Sequence, residues 1–286
     1  MIFDDTRCEL GEGALWHPVR EALFWFDIHG HRLHGEGRTW QWHEAVSSAG
    51  WIDRDRLFVA SGSGLWEMDL RHDTRRRVVA LEEEDTGTRS NDGKADPWGG
   101  FWIGTMGRNG EEDRGALYRY YDGELRRLRA PMTVPNGLCF DRARGVGYVS
   151  DTPRHKVWRH RLDPATGWPI GEEELFLDLS DGPHGPDGAT LDSEGRFWSA
   201  QWGSSRVACY SPEGHFLGEI PFPASLTTCP AFGGPGLDEL FVTTGQEDFT
   251  DRQRDAEPHA GKTFCVPAML NGQRVQGVPE PAVRLP

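Results

Sequence analysis

One bulky aromatic recurs in a short apolar strand along the whole chain, at Phe24, Phe58, Trp102, Tyr148, Trp198 and Phe241, with separations of 34, 44, 46, 50 and 43 residues. The unit around it shows best in Thr133–Asp141 followed by Gly147–Asp151: an Asn-Gly corner, an apolar strand, a charged turn, and a second strand carrying the aromatic. Further short strands follow in each unit, such as Gly64–Asp69, Ala116–Tyr120 and Lys156–His160, so that each unit reads as a four-stranded sheet. Sheets of this size, repeated at roughly 40–50 residues, bury their faces only by packing on their neighbours around a ring. The predicted fold is therefore all-β: a six-bladed β-propeller with four-stranded blades, forming one domain over residues 1–286 around a central channel that holds a metal site. Tandem sandwiches and a solenoid compete with this reading. A sandwich shows turns every 8–12 residues or so but gives no reason for one aromatic to return at a fixed place in a longer unit. Ring closure predicts that the two chain ends share a blade, with the strand pairing left open.

Composition supports strands and narrows the partners. The 36 glycines and 19 prolines punctuate short runs, and helical periodicity is nearly missing. A net charge of −14 makes nucleic acid and anionic membrane poor partners. No apolar run approaches the roughly 18 residues of a membrane-crossing helix, and Met1-Ile2-Phe3-Asp4-Asp5 lacks a basic-then-apolar leader pattern, so a cytoplasmic location is expected. The five cysteines include no Cys-x-x-Cys pair and are read as reduced, packed thiols.

In a propeller the innermost strand of each blade lines the channel, and the residues just before those strands crowd one mouth. Counting back 10 to 12 residues from the aromatics gives Glu12, Ser48, Asn91 with Asp92, Asn136, Asp187 and Cys229. Four of these places carry a carboxylate or amide directly before glycine: Glu12-Gly13, Asp92-Gly93, Asn136-Gly137 and Asp187-Gly188. Any one pair is most simply a favoured turn. Glu12, Asn136 and Asp187 at equivalent places in the repeat instead point to converging oxygen ligands, which without His or Cys suit one hard divalent cation. Calcium stands first, with magnesium, manganese, zinc and iron as alternatives.

Leu10-Gly11-Glu12-Gly13, Arg89-Ser90-Asn91-Asp92-Gly93-Lys94, Pro135-Asn136-Gly137 and Pro186-Asp187-Gly188 resemble, in the right order and over essentially the full chain, the signature positions of the SMP-30/gluconolactonase/regucalcin-like family. That resemblance implies a six-bladed propeller holding one divalent metal through Glu12, Asn136 and Asp187, with Arg89 and Asn91 contacting substrate. It also implies a sugar lactone as substrate, since most members are sugar lactonases. The stretch Gly107–Asp113 varies between members and supplies a loop on the substrate side.

Lactone hydrolysis needs a polarised carbonyl, a nucleophilic water and a stabilised oxyanion, all within reach of one bound cation and its ligands. Asp187 is expected both to ligate and to take the proton. Asp151 is a lesser candidate for base, against a strand-end hydrogen bond to backbone. His184 reads as a solvated loop residue, with His17 and His155 also near the motifs, and Trp202 as the one tryptophan placed to face a ligand. Gly261-Lys262-Thr263 lacks the rest of a phosphate loop, and no Gly-x-Ser-x-Gly elbow is present. Two functional classes remain: a metal-dependent lactonase, with aryl ester or phosphotriester hydrolysis as a variant on the same metal, and a non-enzymatic calcium-binding protein.

Overall fold

The computed structural model describes residues 1–286 and contains six four-stranded antiparallel sheets and one two-stranded ribbon, Met269–Leu270 with Gln273–Arg274. The innermost strands of blades 1 to 6 are Gly11–His17, Val46–Trp51, Thr88–Ala95, Pro135–Asp141, Gly185–Leu191 and Thr227–Gly233. Each packs against the innermost strand of the next blade, and the sixth packs against the first. The ring is thus closed, and the fold is the expected six-bladed propeller. In the closing blade, Thr227–Gly233, Glu239–Thr244 and Thr263–Pro267 are completed on the outside by the N-terminal strand Ile2–Asp4, with Ile2 opposite Phe264. The N-terminus therefore supplies the outermost strand of the last blade.

The recurring aromatics explain why the blades adhere. All six lie on second strands and none is more than 2 % exposed. Phe58 meets Phe101 with ring centres 5.6 Å apart, Trp102 meets Phe140 at 5.2 Å, and Tyr148 meets Phe197 at 5.2 Å. Trp198 meets Phe232 at 5.9 Å and Phe241 meets Trp16 at 5.4 Å. Every one of these partners belongs to the following blade. Each buried ring contributes roughly 1.5–3 kcal/mol, and does so across the blade boundary, where backbone hydrogen bonds cannot help.

The far end of the channel is closed by the C-terminal tail. Val283 N donates to Trp51 O at 2.8 Å, Arg284 N donates to Gly99 O at 2.9 Å, and the Glu280 carboxylate pairs with Lys94 Nζ at 2.9 Å. Access is left to the opposite mouth, where the inner strands begin. The long connection between the second and third strands of blade 6 lies on that side and carries the only α-helix, Asp251–Ala256, started by a Thr250/Gln253 capping box. No helix is long and apolar enough to cross a membrane.

Two of the recurring tryptophans are tied to an aspartate six residues earlier. Trp102 Nε1 donates to Asp96 Oδ2 at 3.0 Å, and Trp198 Nε1 donates to Asp192 Oδ2 at 2.8 Å. Asp96 Oδ2 also takes Arg119 Nε at 2.7 Å, with both side chains fully buried. Removing one partner of such a pair leaves a buried charge alone, so Asp96→Ala should lower the unfolding free energy by about 3–5 kcal/mol. Chemical denaturation of the two proteins checks this; a loss under about 1 kcal/mol would place the pair among the energetically silent contacts.

Candidate active site

The site begins as a defect in strand pairing. The register between first and second strands slips in every blade: at Glu12/Leu15, Val46/Ser48, Ser90/Gly93, Asn136/Cys139, Pro186/Ala189 and Thr227/Pro230. A bulge frees one residue from the ladder and re-aims its side chain. The Glu-Gly, Asp-Gly and Asn-Gly pairs therefore sit inside the inner strands as bulges, neither before those strands nor in hairpin turns as the sequence suggested. Gly13 has φ +59°, and a Cβ there would lie 2.3 Å from Ser47 O of the next blade. Gly188 has no positive φ; its need is space alone, since a Cβ would lie 2.8 Å from Thr228 O. Glycine after each polar residue thus lets neighbouring inner strands approach closely, and the polar side chains are drawn to one place.

Glu12, Arg89, Asn91, Asn136 and Asp187 line one cleft of about 700 Å³ at the open mouth, each in a different position around the ring but for Arg89 and Asn91 of blade 3. A single hydrogen-bond chain orders the amides. Thr152 Oγ1 donates to Pro186 O at 2.8 Å, so it must accept from Asn136 Nδ2, also at 2.8 Å. That turns Asn136 Oδ1 the other way, where it accepts from Asn91 Nδ2 at 3.0 Å. Asn91 Oδ1 in turn accepts from Arg89 Nη1 at 2.9 Å. Asn136 Oδ1 keeps its second lone pair.

The carboxylates are held against their preference. Burial first, then the Asp92 charge, pushes Glu12 up to about 8, opposed by the Gly13 N–H that its Oε2 accepts at 2.8 Å. Burial, then Glu12 and Asp92, pushes Asp187 well above the usual carboxylate range, while its Oδ1 accepts Gly188 N–H at 3.0 Å. Burial also lifts Asp92, whose Oδ2 takes Leu138 N at 2.9 Å from the adjoining blade. Such a set either keeps protons or takes up a cation. No cluster of three or more His, Cys, Asp or Glu side chains poised for a metal exists in the chain. The candidate set fits a hard ion because its third oxygen is an amide: two carboxylates, Glu12 and Asp187, with Asn136 Oδ1.

Other expectations meet the structure unevenly. Asp151 does not line the cleft; its oxygens accept Thr133 N at 2.9 Å and Val134 N at 3.0 Å, so it serves the strand end and not as a base. His17 is buried with Nε2 against Asp53 O at 2.9 Å, away from the mouth. His184 reaches Ser204 Oγ at 2.9 Å outside the cleft, whereas His155 lines it. Trp202 and the loop residues Arg108, Asn109 and Gly110 line it too. Sequence reasoning missed Glu247, Asp248 and His29. Their loops follow no repeat, and His29 and Glu247 form an ion pair across the junction of blades 1 and 6.

Comparison with known proteins agrees with this fold. Residues 10–246 match the model of the SMP-30/gluconolactonase/LRE-like region. The chain belongs to that family. A pentonolactonase of Haloferax volcanii is 37 % identical over 85 % of this chain and 84 % of its own, and a 6-deoxy-6-sulfogluconolactonase of Pseudomonas putida is 36 % identical over 92 % of each. The crystal structure of a calcium-binding regucalcin from Agrobacterium tumefaciens superposes with a TM-score of 0.95 at 35 % identity, covering 99 % of this chain and 97 % of the other.

The raised carboxylates carry a sign that is open to test. A group whose folded value is raised favours the folded state below its unfolded value and loses that contribution as pH climbs to the folded one. Chelator-treated protein should therefore lose thermal stability as pH rises from the ordinary 4.5 of Glu12 to about 8, and divalent cations should restore it. Scanning calorimetry across that range, with and without added cation, reads the effect. Glu12→Gln should flatten the decline.

Proposed function

We propose that the protein hydrolyses a sugar acid lactone to the free sugar acid, using one divalent ion held by Glu12, Asn136 and Asp187. The observation that carries this reading is the convergence, in one cleft, of two carboxyl groups that burial holds back from ionising and an amide oxygen beside a buried arginine. Membership of a family whose relatives are named for lactone hydrolysis supports the reaction class, and the calcium-binding regucalcin supports calcium as the first candidate ion. A divalent ion bound there supplies Lewis acidity for the lactone carbonyl and for water.

The chain's own residues do the rest. Asp187 Oδ2, free of the backbone hydrogen bond that engages Oδ1, takes the proton of the attacking water as the oxygen bonds to the carbonyl carbon. The same proton passes to the ring oxygen as the carbon–oxygen bond breaks, giving a hydroxy acid. Arg89 and Asn91 hold sugar hydroxyls: the guanidinium offers a fork of donors, and the amide both donates and accepts. Asn136 is oriented by Thr152, so that its oxygen faces the channel and not the strand.

These roles separate in kinetics. Asp187→Ala should abolish turnover even at saturating lactone. Arg89→Ala should chiefly raise KM, by about 1–3 kcal/mol of lost hydrogen bonding, with ion affinity unchanged. Steady-state kinetics on a panel of glucono-, xylono-, galactono- and arabinonolactone, with bound metal measured for each variant, decides it. Chelator-sensitive turnover supports the hydrolase; ion binding with no turnover on any lactone would support the calcium-binding alternative. Loss of metal in Arg89→Ala, or retained kcat in Asp187→Ala, would reverse the assignment.

A further inference from the structure

The chain carries a net charge of −14, yet the cleft is lined by two guanidinium groups that have no carboxylate partner. Arg89 is 4 % exposed; its Nη1 donates at 2.9 Å to Ser90 O and Asn91 Oδ1, both neutral, and its Nε has no partner. Arg108, on the loop after the second strand of blade 3, donates from Nε to Thr86 O at 2.8 Å. No protein acceptor takes its two terminal nitrogens. Burial first, then attraction from Glu247 and Glu12 against repulsion from Arg108, sets the Arg89 guanidinium below its ordinary value, so the two cations share one field.

The acidic groups of the cleft are otherwise engaged. Glu9 pairs with Arg254 at 2.8 Å, and Glu247 hydrogen-bonds His29 while attracting Arg89 without touching it. Glu12 and Asp187 face the proposed ion, whose two positive charges they balance. Asp248 on the rim is the one remaining carboxylate. The blade 3 side of the mouth presents two guanidinium groups that no carboxylate touches, one of them desolvated. A desolvated cation with no carboxylate in contact is costly, and a ligand that brings an acid group within reach relieves that cost.

We propose that the cleft selects lactones carrying an anionic group on the carbon chain, a carboxylate or an acid ester such as phosphate, and that Arg108 is the residue that reads this charge. The proposal rests on the lactonase reading and names the substrate class within it. The planar fork of an arginine suits a two-oxygen acid, and Arg108 reaches the rim while Arg89 stays beside the reacting end.

Three probes test it on the metal-loaded full chain: gluconolactone, its phosphate monoester at the terminal carbon, and glucarolactone, which carries a carboxylate there. At low salt, wild-type kcat/KM for at least one anionic lactone should exceed that for gluconolactone by about tenfold, and the better of the two names the acid group. Arg108→Gln should cut the anionic rate about five- to tenfold while changing the neutral one less than about twofold, and Arg108→Glu should make gluconolactone the better substrate. Raising salt to about 0.5 M should erode the anionic preference alone. If gluconolactone is turned over as well as both anionic lactones and the Arg108 variants change nothing, this inference falls while the lactonase reading stands. If no lactone is turned over although the ion binds, both fall.

Discussion

Six strands can surround one axis closely only if their backbones nearly touch, and here four of the six carry a glycine at the same end for that contact. Gly13 lies where a single added carbon would strike Ser47 O, and Gly188 where it would strike Thr228 O. The accompanying bulges break the ladder and turn the preceding side chain toward the axis. The polar residues meet because the ring is tight, and the ring is tight because the following residues are glycine. The aromatic rings farther out, five of which meet a ring of the next blade, hold that geometry in place.

Concentrating Glu12, Asp92 and Asp187 in a buried channel carries an electrostatic cost, and the two ends of the channel meet it differently. Below, Lys94 lies near Asp92 and is itself paired with Glu280 at 2.9 Å, so the C-terminal tail both closes the channel and completes a charge chain. Above, Glu12 and Asp187 have each other, the backbone N–H groups of the glycines and the more distant Arg89 guanidinium, with no cation in contact. The unbalanced end is the open end. A propeller built this way holds its deficit of positive charge where a ligand or ion can reach it, while the Arg89–Asn91–Asn136–Thr152 chain fixes the direction of the Asn91 and Asn136 amides.

The blades were legible in the sequence because the same physical demand recurs in each: Phe24, Phe58, Trp102, Tyr148, Trp198 and Phe241 all fill a blade boundary. Glu12, Asn136 and Asp187 were legible for the same reason, as equivalent positions of one repeat that the structure brings into a single cleft. Asn91 also fell to the spacing count, whereas Arg89 was found through resemblance alone. What escaped was whatever the repeat does not encode. Glu247 and His29 lie on loops of unlike length and meet only because the first and last blades adjoin. Asp151 was drawn toward catalysis by its place on blade 4, but Thr133 and Val134 had a stronger claim on it as unpaired backbone donors. The bulges were mistaken for turns since Asn-Gly serves both, and only the pairing partner on the next strand tells them apart.

The central claim is that the raised carboxylates form the seat of one cation. Calcium titrated into chelator-stripped protein at neutral pH, in buffers of differing ionisation heat, measures stoichiometry and proton release together. The account predicts one ion per chain and the release of at least one proton, since Glu12 and Asp187 must ionise to bind it, with both signals lost in a Glu12→Gln, Asp187→Asn double variant. Binding without proton release, or binding that the double variant leaves intact, would contradict it.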